Sequence, residues 1–350
     1  MKNVWNILVL CLCCVLAGCS DDDSPIGGTA IQIESADLDF TAEGGEGSIT
    51  VAGNGVISAV SDKDWCTVSV DGMTIHVTVA ESQEITSRTA LIAISAGADS
   101  REIPVVQAGA LATLGDGPTS YVFGYDGGTF EYSFKSNVSY TVEIPEDAKA
   151  WISYVEDTDE EAASEGWTRL VFTANANEGE TFRGAELSFS TGGKEVSLSV
   201  VEIGVNDIAG TWNCSYESGL IGTIVSGPIE IQPTGTSGEF SMSELTVSSM
   251  IPGISIPLTW MQNGQLGIVG GTDAYLSIII TAILSGDGLY SDLTCLGTPS
   301  YENGNLVYRF GNYVDASSGA SIDGFGLYML GAEGGTLDIY YDFAISKQMQ

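Results

Sequence analysis

Little in this sequence is spaced for metal or nucleophile chemistry. Its single histidine, His76, alternates with Thr74 and Thr78 on the polar side of Ile75-His76-Val77-Thr78-Val79. An exposed surface position is therefore expected, and a histidine-dependent triad would have to be built around this one residue. No Cys or His cluster has zinc-ligand spacing, and no glycine-rich phosphate loop precedes a helix. The 46 acidic residues leave a glycosidase-like pair of carboxylates open by number alone. Modules of the size read below do not readily supply the long cleft that aligns a sugar, so a polysaccharide hydrolase is the lesser alternative. Asp157-Thr158-Asp159-Glu160-Glu161 alternates oxygens as a calcium loop does, but Ala162 stands where the sharp glycine turn is needed and Thr168 where the bidentate acid is needed. A solvated acidic loop is the reading that fits. No cofactor and no metal are expected, and the chain is read as a non-enzyme.

Aromatic side chains are the remaining candidates, because sugar rings stack their C–H faces on flat π surfaces. Trp260, Tyr275, Tyr290, Tyr301, Tyr313 and Tyr328 lie near expected turns or in strands of mixed polarity. They are the candidate ligand-binding residues, set at a barrel mouth; the alternative is that they fill the barrel and cover its ends.

The N-terminal stretch carries a different kind of chemistry. Lys2, an apolar run from Val4 to Leu16 and the sequence Leu16-Ala17-Gly18-Cys19 make a secretory segment too short to span a bilayer. The pattern resembles a bacterial lipobox, which implies cleavage before Cys19, lipid on its sulfur and a membrane partner through that anchor. Acyl chains bury roughly 0.8 kcal/mol per CH₂, so three chains hold effectively permanently. Ser20-Asp21-Asp22-Asp23 resembles the export tag of surface lipoproteins of the Bacteroides group, which implies an outer-membrane protein facing the cell exterior.

Composition bounds the partners. Eleven Lys and Arg against 46 Asp and Glu give a formal net charge of −35 over 350 residues. A phosphate backbone would be repelled, so no nucleic acid is expected. Once the first 18 residues and Cys19 are set aside, Cys66, Cys214 and Cys295 remain as side chains. In an oxidising compartment Cys214 and Cys295, in the same expected domain, are the possible disulfide, and Cys66 reads as a small buried hydrophobe.

The elements that would position these residues are strands. From Ile31 onward apolar and polar residues alternate in short runs with turns every eight to twelve positions, which predicts an all-β protein. Residues 31–109 and 121–204 line up as a repeat. Phe40-Thr41-Ala42-Glu43-Gly44-Gly45 corresponds to Phe123-Gly124-Tyr125-Asp126-Gly127-Gly128, and Asp64-Trp65 to Ala150-Trp151. Arg88 before a small-apolar strand is echoed by Arg183. The close of the first half, Val105-Val106-Gln107-Ala108-Gly109, is matched by Val200-Val201-Glu202-Ile203-Gly204. Trp65 and Trp151, at matched positions, are expected in the cores.

These motifs resemble the BACON domain, an immunoglobulin-like β-sandwich common in surface lipoproteins and glycan-degrading enzymes of the Bacteroides group. The resemblance implies spacer or carbohydrate-binding modules. The second copy departs from it at Glu202, where Gln is usual, at Ala150, and in an acidic insertion from Glu156 to Glu165.

The segment 206–350 is richer in Gly and Tyr and lower in charge. Asn263-Gly264 and Asn303-Gly304 predict hairpins, since Asn-Gly accepts the positive φ angles of a type I′ turn. A third hairpin is expected at Glu333-Gly334-Gly335. About eight strands in meander order are enough to close a barrel. Ile208-Ala209-Gly210-Thr211-Trp212 is similar to the Gly-x-Trp opening of lipocalins, in which the Trp plugs the closed end and meets an Arg of the last strand. Arg309, the only Arg of this segment, lies before that strand.

The organisation read from the sequence is thus a signal peptide at 1–18, a linker at 19–29, BACON-like β-sandwiches at 30–110 and 117–204, and a lipocalin-like meander β-barrel at 206–350. Two functions fit a non-enzymatic lipoprotein of this plan. In one the barrel binds a glycan or another small ligand; in the other the protein is a structural subunit with a protein partner in a surface complex.

Overall fold

The computed structural model describes residues 31–157, 166–179, 181–243, 251, 254–284, 288–331 and 334–348. Cys19 and the segments on either side of it lie outside the described residues, as does the acidic loop beyond Asp157 up to residue 165.

Period-two patterning becomes strands throughout. The first eight are β1 (Gln32–Asp37), β2 (Asp39–Phe40), β3 (Gly45–Ala52), β4 (Ile57–Ser61), β5 (Cys66–Asp71), β6 (Thr74–Val79), β7 (Arg88–Ala96) and β8 (Asp99–Gln107). They form two sheets, ordered β1-β3-β6-β5 and β2-β8-β7-β4. The next eight are β9 (Ala112–Leu114), β10 (Ser120–Phe123), β11 (Gly128–Ser136), β12 (Tyr140–Glu143), β13 (Ile152–Asp157), β14 (Thr168–Ala174), β15 (Arg183–Thr191) and β16 (Lys194–Glu202). Their sheets, β13-β14-β11-β9 and β10-β16-β15-β12, are the same arrangement moved along by eight strands. Even the parallel pair recurs: β2 with β8, β10 with β16. The repeat in the sequence is therefore a repeat of β-sandwich topology.

The chain divides into two compact units, one of residues up to 38, 46–78 and 90–105, the other of 39–45, 79–89 and 106 onward. The smaller is packed around Ile49, Val51, Ile75, Val77, Ile92 and Ile94, with Cys66 buried and Trp65 half-buried. The larger holds the closing motif of the first repeat, the second sandwich and the C-terminal barrel.

Two motif positions show why the repeat is written as it is. Gly44 and Gly127 both take positive φ (81° and 72°), and a Cβ on either would stand 2.3 or 2.2 Å from the carbonyl oxygen of Val79 or Ala174. Only glycine fits such a turn. Gln107, fully buried, accepts from Arg88 Nε at 2.7 Å and donates its amide to the carbonyls of Thr41, Ala42 and Ala80 at 3.0–3.1 Å. In the second copy Glu202 occupies this place, equally buried, and accepts from Arg183 Nε at 2.5 Å. A carboxylate cannot donate to carbonyls, and its Oε1 has no partner. Burial pushes the Glu202 carboxyl up, against the opposing pull of Arg183.

The barrel strands are β17 (Gly210–Ser218), β18 (Thr223–Pro233), β19 (Glu239–Ser243), β20 (Ile256–Trp260), β21 (Leu266–Val269), β22 (Asp273–Tyr275), β23 (Ile278–Leu284), β24 (Leu289–Tyr290), β25 (Thr294–Glu302), β26 (Asn305–Phe310), β27 (Tyr313–Val314), β28 (Ser321–Met329) and β29 (Gly335–Gln348). Eight of them close a ring, β17-β18-β19-β20-β21-β25-β26-β29 and back to β17. The long last strand makes this possible: its C-terminal half lies between β26 and β17, and its N-terminal half leaves β26 to pair with β28. Strands β28, β23 and β22 thereby extend the wall as a flap at one end.

The other end of the barrel is locked to the second sandwich. Asp207, buried in the linker, accepts from Tyr125 Oη at 2.5 Å, Gly204 N at 2.9 Å and Phe182 N at 3.0 Å. Ser120 Oγ donates to Pro299 O, and Tyr301 N donates to Ser199 Oγ at 2.7 Å.

The disulfide expected between Cys214 and Cys295 is not formed; both are free, buried thiols. Cys214 sits on β17 and Cys295 on β25, three strands apart around the ring by the shorter way. At roughly 4.8 Å per strand this exceeds the Cα separation of about 7 Å that a bridge tolerates.

Glu202→Gln should restore the donor that Gln107 supplies in the first copy. A carboxyl whose pKa is raised in the fold contributes stability that is complete below its unfolded pKa and is lost as pH rises through the folded one. In urea unfolding the variant should therefore exceed the parent by about 1 kcal/mol at pH 7, with the gap shrinking toward pH 4. A parent that is the more stable at pH 7 would refute this reading of the latch.

Candidate functional site

A barrel of eight strands is just wide enough for side chains to fill, and here they do. Trp212, Tyr216, Ile268, Tyr308, Phe310 and Phe343 meet in one buried cluster. Tyr216 and Tyr340 stand edge to face at 5.0 Å, Phe325 stacks on Tyr340 at 4.7 Å, and Phe310 meets Phe343 at 5.4 Å. Tyr308 Oη donates to Gly264 O at 2.7 Å, closing the sandwich-facing end. Trp212 is buried there too, its Nε1 donating to Ile208 O at 2.7 Å. The cation over its ring is Lys347 of the last strand, 5.4 Å from the ring, whose ammonium also donates to the carbonyls of Asp207 and Ala209. A search for arginine alone passes over this lysine.

The six aromatic candidates do not form one platform. Tyr301 packs on the second sandwich: a Cβ at Gly184 would stand 2.3 Å from its ring, so glycine makes the room. Trp260, half-buried, packs against the barrel core. Tyr313 donates its hydroxyl to Thr294 O, and burial pushes its pKa up to about 12. Tyr275 and Tyr328 lie on the flap, on β22 and β28 to either side of β23, but opposite successive residues of that strand, Ile278 and Ile279. Tyr290 is exposed further along β23, opposite Ala282.

Open grooves lie instead on the outer faces of the sandwich sheets. One, in the smaller unit, is a polar groove of about 470 Å³ bordered by Asp37, Glu46, Ser69, Thr74 and the exposed His76. The other, on β11 and β14 of the second sandwich, has about 450 Å³ and is bordered by Asp116, Glu131, Ser133, Trp167 and Arg169. β14 sends Leu170 and Phe172 inward, so Trp167 and Arg169 share the outer face. Arg169 is held by Asp157 and Glu131 (3.5 Å), and Lys135 sits 4.8 Å from the centre of the Trp167 ring. Trp167 was not singled out from the sequence. Its signal was available: it precedes Arg169 by two in an alternating strand, on the side opposite the apolar residues.

Among the described residues no three His, Cys, Asp or Glu side chains come together to hold a metal ion.

The comparisons with known proteins bear on this sandwich directly. Residues 55–108 and 141–204 match the family model of the BACON domain, "Putative binding domain, N-terminal". The second BACON segment contains Trp167 and Arg169. No curated protein matches the chain. Among solved structures, a protein from Bacteroides thetaiotaomicron is similar over 26% of this chain and 97% of its own, at 18% identity and a TM-score of 0.22. An endo-fucoidan hydrolase of glycoside hydrolase family 107 is similar over 54% of this chain and 30% of its own, at 10% identity and a TM-score of 0.28. A chimeric titin Z1Z2 is similar over 51% of this chain and 98% of its own, at 7% identity and a TM-score of 0.25.

Burial raises the pKa of all three thiols, that of Cys295 to about 12. In a soluble form starting at Ser24, a thiol reagent should label none of them in the folded protein and all three in denaturant without reductant. Labelling of only one after unfolding would mean that Cys214 and Cys295 are bridged after all.

Proposed function

We propose that this chain is a non-enzymatic lipoprotein, anchored in the outer membrane through Cys19 and facing the exterior, that binds glycan on an outer sheet face of its second sandwich. The N-terminal segment Leu16-Ala17-Gly18-Cys19 supports the anchor, and the BACON match supports a binding module. One observation carries the choice of site: the closed β-barrel is filled by its own side chains, whereas Trp167 lies half-buried in an open groove beside Arg169, Glu131, Asp116 and Ser133. An indole flanked by fixed charges and a hydroxyl is the chemistry that takes a sugar, the ring on its C–H face and the hydroxyls on donors and acceptors around it. The second sandwich and the barrel then act as the support for this face, with the first sandwich as spacer.

The test is a screen of the soluble form from Ser24 onward against plant and mucin glycans, followed by titration of any hit. Trp167→Ala should weaken binding about tenfold or more, while Tyr290→Ala on the barrel leaves it unchanged. Silence across the screen, or a hit lost in Tyr290→Ala and kept in Trp167→Ala, would remove this reading.

A further inference from the structure

Trp167 stands among charges of both signs, and if it stacks a sugar as proposed above, those charges decide which sugar it takes. On β11 the side chains facing outward are Glu131, Ser133 and Lys135, alternating with the buried Tyr132 and Phe134. Arg169 lies opposite Ser133 on one side and Asp157 on the other. Its guanidinium is held between two carboxylates, that of Asp157 and, at 3.5 Å, that of Glu131. The Lys135 ammonium lies over the Trp167 ring, 4.8 Å from its centre. Asp116 borders the same groove. A close backbone approach brings it there: Gly115 N donates to Ser133 O at 2.9 Å, and a Cβ at Gly115 would stand 2.5 Å from that oxygen. Only glycine lets the chain after β9 come so near.

Both cations of the groove are therefore matched already. Arg169 meets two acids with one positive charge, so an anion brought to it would add like-charge repulsion to the cost of its own desolvation. Lys135 is attracted to the π face of Trp167, and from that position it opposes a second cation on a stacked sugar. The exposed carboxylates of Asp116 and Glu131 are pure acceptors, suited to hydroxyl donors. The sequence makes the neighbourhood more acidic still. The eight residues that join Asp157 to Gly166 include Asp159, Glu160, Glu161 and Glu165 and neither Lys nor Arg. Salt screens charges beyond about 8 Å, so these nearby groups weigh more in the choice than the net charge of the whole chain.

Resting on the glycan reading of this groove, we infer that its ligand is an uncharged pyranose, stacked on Trp167 with its hydroxyls donating to Asp116 and Glu131. Sugars that carry carboxylate, sulfate or ammonium groups are turned away. The fixed charges thus set specificity, while the indole supplies the contact that any pyranose would share.

The test probes the chain from Ser24 onward, and its Trp167→Ala variant, with four sets of glycans: neutral (mannan, galactan and starch oligomers), uronate-bearing (oligogalacturonate and alginate), sulfated (chondroitin sulfate) and amino (chitosan oligomers). Binding that requires Trp167 should be confined to the neutral set and should change by less than about twofold between about 20 mM and 0.5 M NaCl. Oxidising C6 of such a neutral ligand to the carboxylate should weaken it about tenfold or more. That gap should narrow in high salt and in Asp116→Asn. A Trp167-dependent uronate, sulfated or amino glycan overturns the inference and leaves the Trp167 site standing, as does a C6-oxidised ligand that binds as well as its parent. Absence of any Trp167-dependent binding removes the site and this specificity with it.

Discussion

Closure of the barrel by its last strand is the constraint on which the C-terminal half depends. A 14-residue strand pairs with β17 along one side and divides its other side between β26 and β28. This one element ends the sheet edge that β17 would otherwise present and also launches the flap. It brings Lys347 back to the first turn of the segment, where the ammonium is shared between two carbonyls and the face of Trp212. The same residues tie barrel to sandwich, because the Asp207 whose carbonyl takes Lys347 uses its carboxylate to hold Tyr125, Gly204 and Phe182.

From closure follows the use of the barrel interior. Rings of Tyr216, Tyr308, Phe310, Phe325, Tyr340 and Phe343 occupy the interior of the barrel and its flap, so large aromatic side chains that would line a ligand cavity in a wider barrel serve here as core. What remains for recognition is outer surface. The second sandwich offers a groove with an indole and paired charges.

Much of this plan was legible because strand pattern is local. Runs such as Phe130-Glu131-Tyr132-Ser133-Phe134 state their face in five residues, and β11 buries the three aromatics of that run. Asn303-Gly304 states its turn in two: both take positive φ, and Glu302 pairs with Asn305 across it. The repeat implied two sandwiches of one plan, and the structure adds that they share a strand order. What was not legible is non-local. Which strand closes on β17, where the flap strands β22 to β24 leave the ring, and which aromatics share a face all depend on pairings far apart in the chain, which spacing does not encode. Cys214 and Cys295 were a possible pair because both fall in one expected domain; the ring order separates them. Trp167 stayed unseen because it stands next to an acidic insertion that reads as loop, and its place on a sheet face appears only when β14 is paired with β11.

A closed, solid barrel is the central claim. Amide hydrogen exchange, followed residue by residue in the soluble protein, tests this most directly. Backbone amides of β17 and of the C-terminal half of β29 should exchange only through global unfolding, as slowly as those of β26. Fast exchange along β29 and β17 while β26 stays protected would show that the last strand opens on its own and the interior is accessible, contrary to this account.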